Sequence, residues 1–210
     1  MQCKFRVLNQ DPIRDYKESC KITQGIDLSD REIKAPENEV DYWIKQIVAN
    51  HSTIRSVKFR MYAQAPKSVV MQIIRATKGH PQPYVQSSRP DWVGEERSGD
   101  PYEEKMFIVD YTAESWVELC KQRLCTRTET RTRDFVRFCV NSLIHAKAPF
   151  LEAVGWCSNP ACWWLKGCPE LKTCGFMGNK ESPSDIIIAC KNRYYEDIKP
   201  KMEEMNGNRS

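Results

Sequence analysis

Between Met71 and Asp91 the chain reads MQIIRATKGHPQPYVQSSRPD, and this stretch restricts the fold more than any other. An apolar helix closes there on Arg75. Gly79, Pro81 and Pro83 then forbid its continuation, because proline removes a donor N–H and clashes with the preceding turn. An irregular loop must follow, ending in Gln86, Ser87, Ser88 and Arg89. A guanidinium beside two hydroxyls and loop N–H groups is a workable phosphate clamp. The same residues also read as a capped helix followed by an ordinary surface loop.

Periodicity supplies the surrounding elements. Val40, Trp43, Ile44, Ile47 and Val48 give an amphipathic helix from Glu37 to Asn50. Val57, Phe59, Met61 and Ala63 alternate with Lys58, Arg60 and Tyr62, the period of a half-buried strand. Pro66 suits the start of the next helix, where its missing N–H costs nothing. Val69, Val70, Ile73 and Ile74 bury one side of that helix and leave Gln72 and Arg75 on a shared flank. A turn is expected over Arg97 to Pro101, a strand over Lys105 to Tyr111, and a helix from Ala113 capped by Thr112. Trp116, Leu119, Cys120 and Leu124 form its apolar face.

Thr126 and Glu129 have capping-box spacing and predict a break, then a second helix to about Lys147 on Phe135, Phe138, Cys139, Ser142 and Leu143, stopped by Pro149. Residues 156–178 are rich in cysteine and glycine. Asp185 to Lys191 reads as a short buried strand, and the last residues, EEMNGNRS, as a frayed end. The whole is an α/β chain with a mixed sheet and long packed helices, divided into a core over 1–155 and a cysteine-rich lobe and tail over 156–210.

Charge and cysteine content narrow the function classes. A net charge of +4 suits small anions as well as nucleic acid. No run of about 18 apolar residues offers a membrane span. MQCKFRVLNQ has no apolar signal core, so a cytoplasmic protein is expected. Lys121, Arg123, Arg127, Arg131, Arg133 and Arg137 crowd one stretch against Glu129 and Asp134. Like charges at helical spacing are unfavourable without a partner such as a phosphate or a carboxylate, although a solvated face is the plain alternative. Cys157, Cys162, Cys168 and Cys174 permit a tetrahedral zinc site, joined by Cys125 in one arrangement. Only the Cys157–Cys162 gap has knuckle length, and free buried thiols or redox-active cysteines fit the same spacing. His51, His80 and His145 make no nucleophile–base–orienter set.

Five short blocks, taken in order, resemble the flavin-dependent thymidylate synthases over roughly residues 45–155. HSTIRSVKF at His51 to Phe59 is similar to that family's HSTLEH-V-x-F, and MQIIR at Met71 to Arg75 to its HQLVR. QSSR at Gln86 to Arg89 matches the Q-S-x-R end of the signature. ESWVELCKQR at Glu114 to Arg123 resembles RAWxxFxxxR, and TRTETRTR at Thr126 to Arg133 stands where H-A-x-x-E-I-R is expected.

The resemblance implies a thymidylate-synthase-like fold in a homotetramer or dimer with shared sites. It further implies one-carbon transfer from methylenetetrahydrofolate to C5 of dUMP or a related pyrimidine deoxynucleotide, with FAD and NADPH. Gln72, Arg75, Gln86, Ser87, Arg89 and Arg123 are then substrate residues, with Arg123 catalytic beside the pyrimidine carbonyl and Arg89 at the phosphate. Arg127, His80 and Arg133 become the cofactor positions.

The chain departs from the family pattern at several places. Ala76 and Thr77 replace the signature's His and second Arg, Arg127 replaces a His, and Tyr84 and Val85 fall on its Asn-Glu pair. Arg55 and Ser56 stand where the family has Glu-His, and the helical insert before the Glu114 helix is nearly absent. These departures keep two alternatives open, a pyrimidine hydroxymethyltransferase and a non-catalytic nucleotide- or nucleic-acid-binding protein.

Overall fold

The computed structural model describes residues 2–26, 35–76, 83–87, 100–170, 174–175 and 200. The chain divides into two compact units, Met1–Pro160 and Ala161–Ser210. The first is an α/β unit built on a four-stranded sheet in the order β1-β2-β4-β3; its described pairings are all antiparallel, which corrects the expected mixed sheet.

Its strands are β1 (Gln2–Val7), β2 (Lys58–Pro66), β3 (Pro83–Val85) and β4 (Glu104–Thr112). The helices are α1 (Pro12–Thr23), α2 (Glu39–Ala49), α3 (Lys67–Ala76), α4 (Ala113–Arg123), α5 (Thr130–Ile144) and α6 (Pro149–Trp156), with a 3₁₀ turn at Ser52–Ser56. In the second unit a short helix, α7 (Ala161–Leu165), sets the Trp163 and Trp164 rings edge to face, 5.1 Å apart.

Strict alternation makes the sheet one-sided. In β2, Phe59, Met61, Ala63 and Ala65 are buried while Lys58, Arg60, Tyr62 and Gln64 face the other way. In β4, Phe107, Val109 and Tyr111 are buried and Met106 is open. Helices α3 and α4 pack against β4, and α5 and α6 against β1, so the apolar face is covered by helices. The core is aromatic. Phe59 touches Phe5, Tyr111, Trp116 and Phe150 with ring centroids about 6 Å apart, and Phe150 reaches Trp43 of α2 at 5.0 Å. Tilted and edge-on contacts of this kind add to what burial alone contributes.

Local chemistry sets the helix ends. Thr112 and Ser115 form a reciprocal capping box at the start of α4, as the Thr112 reading anticipates. Asn38 caps α2, and Asp11 with Pro12 starts α1. Tyr16 Oη then donates to Gln46 Oε1 at 2.7 Å, joining α1 to α2.

Several sequence expectations need correction. Glu129 is itself the N-cap of α5, its carboxylate accepting from the N–H groups of Arg131 and Thr132, so Thr126 and Glu129 form no capping box. A carboxylate is long enough to cap the turn directly, and the helix starts later than that spacing suggests. Pro149 does not merely stop a helix but opens α6 at its first turn, while α5 ends at Ile144, before Lys147. Ala76 is buried where Ile74 was expected, and Val48 and Phe138 are exposed. β1 and α1 are absent from those expectations, although Cys3, Phe5 and Val7 alternate with Gln2, Lys4 and Arg6 along β1. The Asp185–Lys191 strand and the terminal EEMNGNRS lie outside the described residues, as does most of the Arg97–Pro101 turn.

The close approach of α5 and α6 rests on Gly155. A Cβ there would stand 2.6 Å from the Ile144 backbone nitrogen, nearer than any real side chain comes. Trp116 Nε1 donates to Ser158 Oγ at 2.9 Å, and Ser158 Oγ donates to the Val154 carbonyl, so the buried indole and hydroxyl are both satisfied.

Candidate functional site

The α4–α5 elbow concentrates unusual polar chemistry. Arg123 ends α4, and its Nε is buried without a hydrogen-bond partner among the described residues. Burial also lowers the Arg123 pKa, the direction expected for a cation losing water without gaining a carboxylate. Downstream, Thr126 Oγ1 and Arg133 Nε are likewise buried and unsatisfied among the described residues. Arg133 spends another nitrogen on the elbow itself, with Nη1 donating to the Thr126 carbonyl at 2.7 Å.

The elbow is held rigidly. Thr128 Oγ1 donates to the Gln122 carbonyl at 2.9 Å, and the Thr128 N–H donates to the Cys125 carbonyl at 3.0 Å. Glu129 anchors the next helix. Burial alone would raise its pKa, but hydrogen bonds from the Thr132 and Arg131 N–H groups and the Thr132 hydroxyl outweigh this and keep it below the ordinary value. Arg131 lies over the Tyr102 ring at 4.0 Å, a cation–π contact that fastens α5 to the segment entering β4.

Two further predicted positions lie on a neighbouring helix. α3 packs against both α4 and α5, so the helix carrying half-buried Gln72 and exposed Arg75 meets those carrying Arg123 and Arg133. Ala76, in the last turn of α3, is buried and brings no polar group to the junction. Arg127 is exposed on the elbow.

Gln86 is placed elsewhere. Its N–H donates to the Met106 carbonyl at 2.8 Å, and its Oε1 accepts from the Met106 N–H at 3.2 Å, so the amide prolongs the β3–β4 ladder. It lines a cavity of about 600 Å³ on the open face of the sheet, away from the helices. Ser87, next along, is half-buried. Arg89 and His80 lie outside the described residues.

The cysteines divide between the two units. Cys157 caps α6 in the first, and burial pushes its thiol up to about 11. Cys162, Cys168 and Cys174 belong to the second. Among the described residues no three His, Cys, Asp or Glu side chains are grouped to hold a metal ion. Among the same residues no helix is long and apolar enough to cross a membrane.

A residue pair that sequence reasoning did not join completes the picture. Arg55, on the 3₁₀ turn, forks onto the carboxylate of Glu114 in the first turn of α4, with Nη2 to Oε1 at 3.0 Å. Hydrogen bonding to Arg55 holds the Glu114 carboxyl below its usual range. The only prior signal was that both residues depart from one family pattern, Arg55 standing at a glutamate position and Glu114 at an arginine position.

The open sheet face was missed as well. Strand register puts Lys4, Tyr62, Ile108 and Tyr84 in one row across it, and Gln2, Gln64, Met106 and Gln86 in the next. The alternation of β2 carried half of that information, but the rows exist only once the strand order is known. The chain matches no family model, and no curated protein matches it.

Proposed function

We propose that this chain is a divergent relative of the flavin-dependent thymidylate synthases that binds dUMP or a related pyrimidine deoxynucleotide and transfers a one-carbon unit to its C5. The observation that carries this reading is Arg123, a half-buried guanidinium whose Nε is buried without a hydrogen-bond partner among the described residues, at the end of a helix packed on α3. A buried donor left without an acceptor costs free energy, and a ligand oxygen at the half-open guanidinium would supply the missing acceptor. A pyrimidine carbonyl or a phosphate oxygen is such an acceptor, and a guanidinium meets either through a rigid fork.

The reciprocal exchange at Arg55 and Glu114 supports the family reading. Two residues of opposite charge to the family pattern, far apart in sequence, form one ion pair. A change at one end alone would set like charges against each other; a paired change preserves the contact between the turn and α4.

In the proposed reaction methylenetetrahydrofolate is the one-carbon donor, and flavin, when bound, supplies a hydride replenished by NADPH. The chain's own residues bind and polarise. Arg123 donates to the pyrimidine carbonyl and stabilises the charge that gathers there as C5 becomes nucleophilic. Gln72 and Arg75 orient the nucleotide from α3. Ser87 and Arg89 hold the phosphate. Arg127 and Arg133 offer cations to a folate carboxylate or a flavin diphosphate. A homo-oligomer, dimer or tetramer, with sites shared between protomers belongs to the same reading.

The hydroxymethyl version has one observation in its favour. Ala76 occupies the signature's histidine position and is buried, offering no polar group to a cofactor. Transfer of the methylene followed by addition of water then releases tetrahydrofolate and the hydroxymethyl nucleotide without any net reduction.

Anaerobic incubation with dUMP, methylenetetrahydrofolate and NADPH, with products resolved by mass, tests both. dTMP supports the first version and 5-hydroxymethyl-dUMP the second. Absence of any folate-dependent product, together with calorimetric silence toward dUMP, overturns the enzymatic reading.

A further inference from the structure

We infer that the open face of the sheet is a binding platform for single-stranded nucleic acid, separate from the α4–α5 elbow. Tyr62 on β2 and Tyr84 on β3 are both partnered with Ile108 of β4, one on either side, so their side chains project from the same face. Their backbones stand about 10 Å apart, twice the strand spacing. Tyr84 is 57% exposed, and Met106 beside it 59%, and the cavity of about 600 Å³ runs along these residues. Aromatic rings on the face of a four-stranded sheet, here exposed Tyr84 and half-buried Tyr62, are a surface on which unstacked bases can lie. The adjacent row supplies amides from Gln2 and Gln64, which can both donate to and accept from base edges, while Gln86 Oε1 is engaged by the Met106 N–H.

Charge selects the occupant. The face carries Lys4, Arg6, Lys58 and Arg60 against Glu104 and Asp110. Arg60 is held by Asp110 in a two-pronged pair at 2.6 and 2.7 Å. Lys4, Arg6 and Lys58 are exposed, and Arg6 sits 5.9 Å from the Tyr62 ring centroid. Cations at the margin of an aromatic strip match a polyanion whose bases stack inward and whose phosphates lie at the edge. Double-stranded nucleic acid hides its base faces and offers the tyrosines nothing.

Fluorescence anisotropy with fluorescein-labelled oligouridylate and oligothymidylate octamers tests this on the full chain. Single strands should bind, with a log K against log salt slope of about −2, from roughly 0.7 per phosphate met by Lys4, Arg6 and Lys58. A duplex of the same length should bind far more weakly. Tyr62→Leu and Tyr84→Leu should each weaken binding by roughly tenfold, while Tyr62→Phe and Tyr84→Phe, which keep the ring, retain it. Arg123→Ala should bind the octamer as the parent does.

Equal affinity for duplex, or leucine variants that bind like the parent, overturns the inference. So does loss of octamer binding in Arg123→Ala with the tyrosine variants unaffected, which would place the strand on the helices. Sedimentation showing a dimer that Tyr84→Asp dissociates, without octamer binding by the released monomer, assigns the face to a second copy and also overturns it.

Discussion

The Arg55 guanidinium grips the Glu114 carboxylate with two nitrogens, tying the 3₁₀ turn before β2 to the first turn of α4. Glu114 also faces the positive end of that helix, where an anion is favoured. Reversing one partner alone, as Arg55→Glu or Glu114→Arg, should lower the melting temperature. The double reversal should recover most of the loss, so a double-mutant cycle reads a favourable coupling. Additive losses would show the pair to be incidental.

The same pair sets a pH dependence. The Glu114 pKa is depressed on folding, chiefly by its hydrogen bond to Arg55, and that of Glu129 is depressed by its N-cap bonds despite burial. The folded state therefore binds fewer protons than the unfolded one below the ordinary carboxylate value of 4.5. This part of the stability is complete above that value and disappears as pH falls through the lower folded pKa values. Urea unfolding midpoints should drop on acidification below about pH 4.5, and less so in Glu114→Gln.

Arg123 should separate stability from binding. Arg123→Met removes a partly buried cation with an unsatisfied Nε, so the melting temperature should hold or rise, by up to about 1 kcal/mol of stability. Affinity for dUMP should fall by about tenfold or more, the loss of a charged hydrogen bond. Calorimetry beside thermal melts checks both at once. A variant that is destabilised yet binds dUMP normally would make Arg123 a structural residue.

Two packing variants probe the core in opposite directions. Gly155→Ala forces a methyl group against the Ile144 backbone, where nothing flexible can yield, and should cost about 1–3 kcal/mol in urea unfolding. Tyr111→Phe should stabilise by about 1 kcal/mol, because the Tyr111 hydroxyl is buried with no hydrogen-bond partner among the described residues.

Thiol reactivity should differ widely along the chain. Hydrogen bonding to Cys139, opposed by burial and helped by Ser142, lowers the half-buried Cys3 thiol to about 7. Burial raises Cys120 to about 12 and Cys157 to about 11. Brief iodoacetamide treatment of the native protein near neutral pH should label Cys3 well before either of the others, as peptide mass mapping would show.

Much of the local structure could be read from side-chain order alone. The two-residue alternation around Phe59 and Met61 set a strand with one apolar face, and KMFIVDY set its neighbour. Thr112 announced a helix start because its hydroxyl reaches the backbone three residues on. Such signals are local: each depends on dihedral preference or on the spacing of neighbours along one element. They misled where two local choices competed, as when Glu129 capped α5 in place of Thr126.

The tertiary structure decided everything that depends on residues distant in sequence. β1 became a strand because its edge pairs with β2, and β3, only three residues long, became one by pairing with β4. Strand order then aligned Tyr62 with Tyr84 on one face of the sheet, while helix packing buried the Arg123 Nε and set Arg55 against Glu114. The amino-acid order fixed which face of each element is apolar; burial and charge pairing between elements depend on how those faces meet, and that geometry is not a property of any single segment.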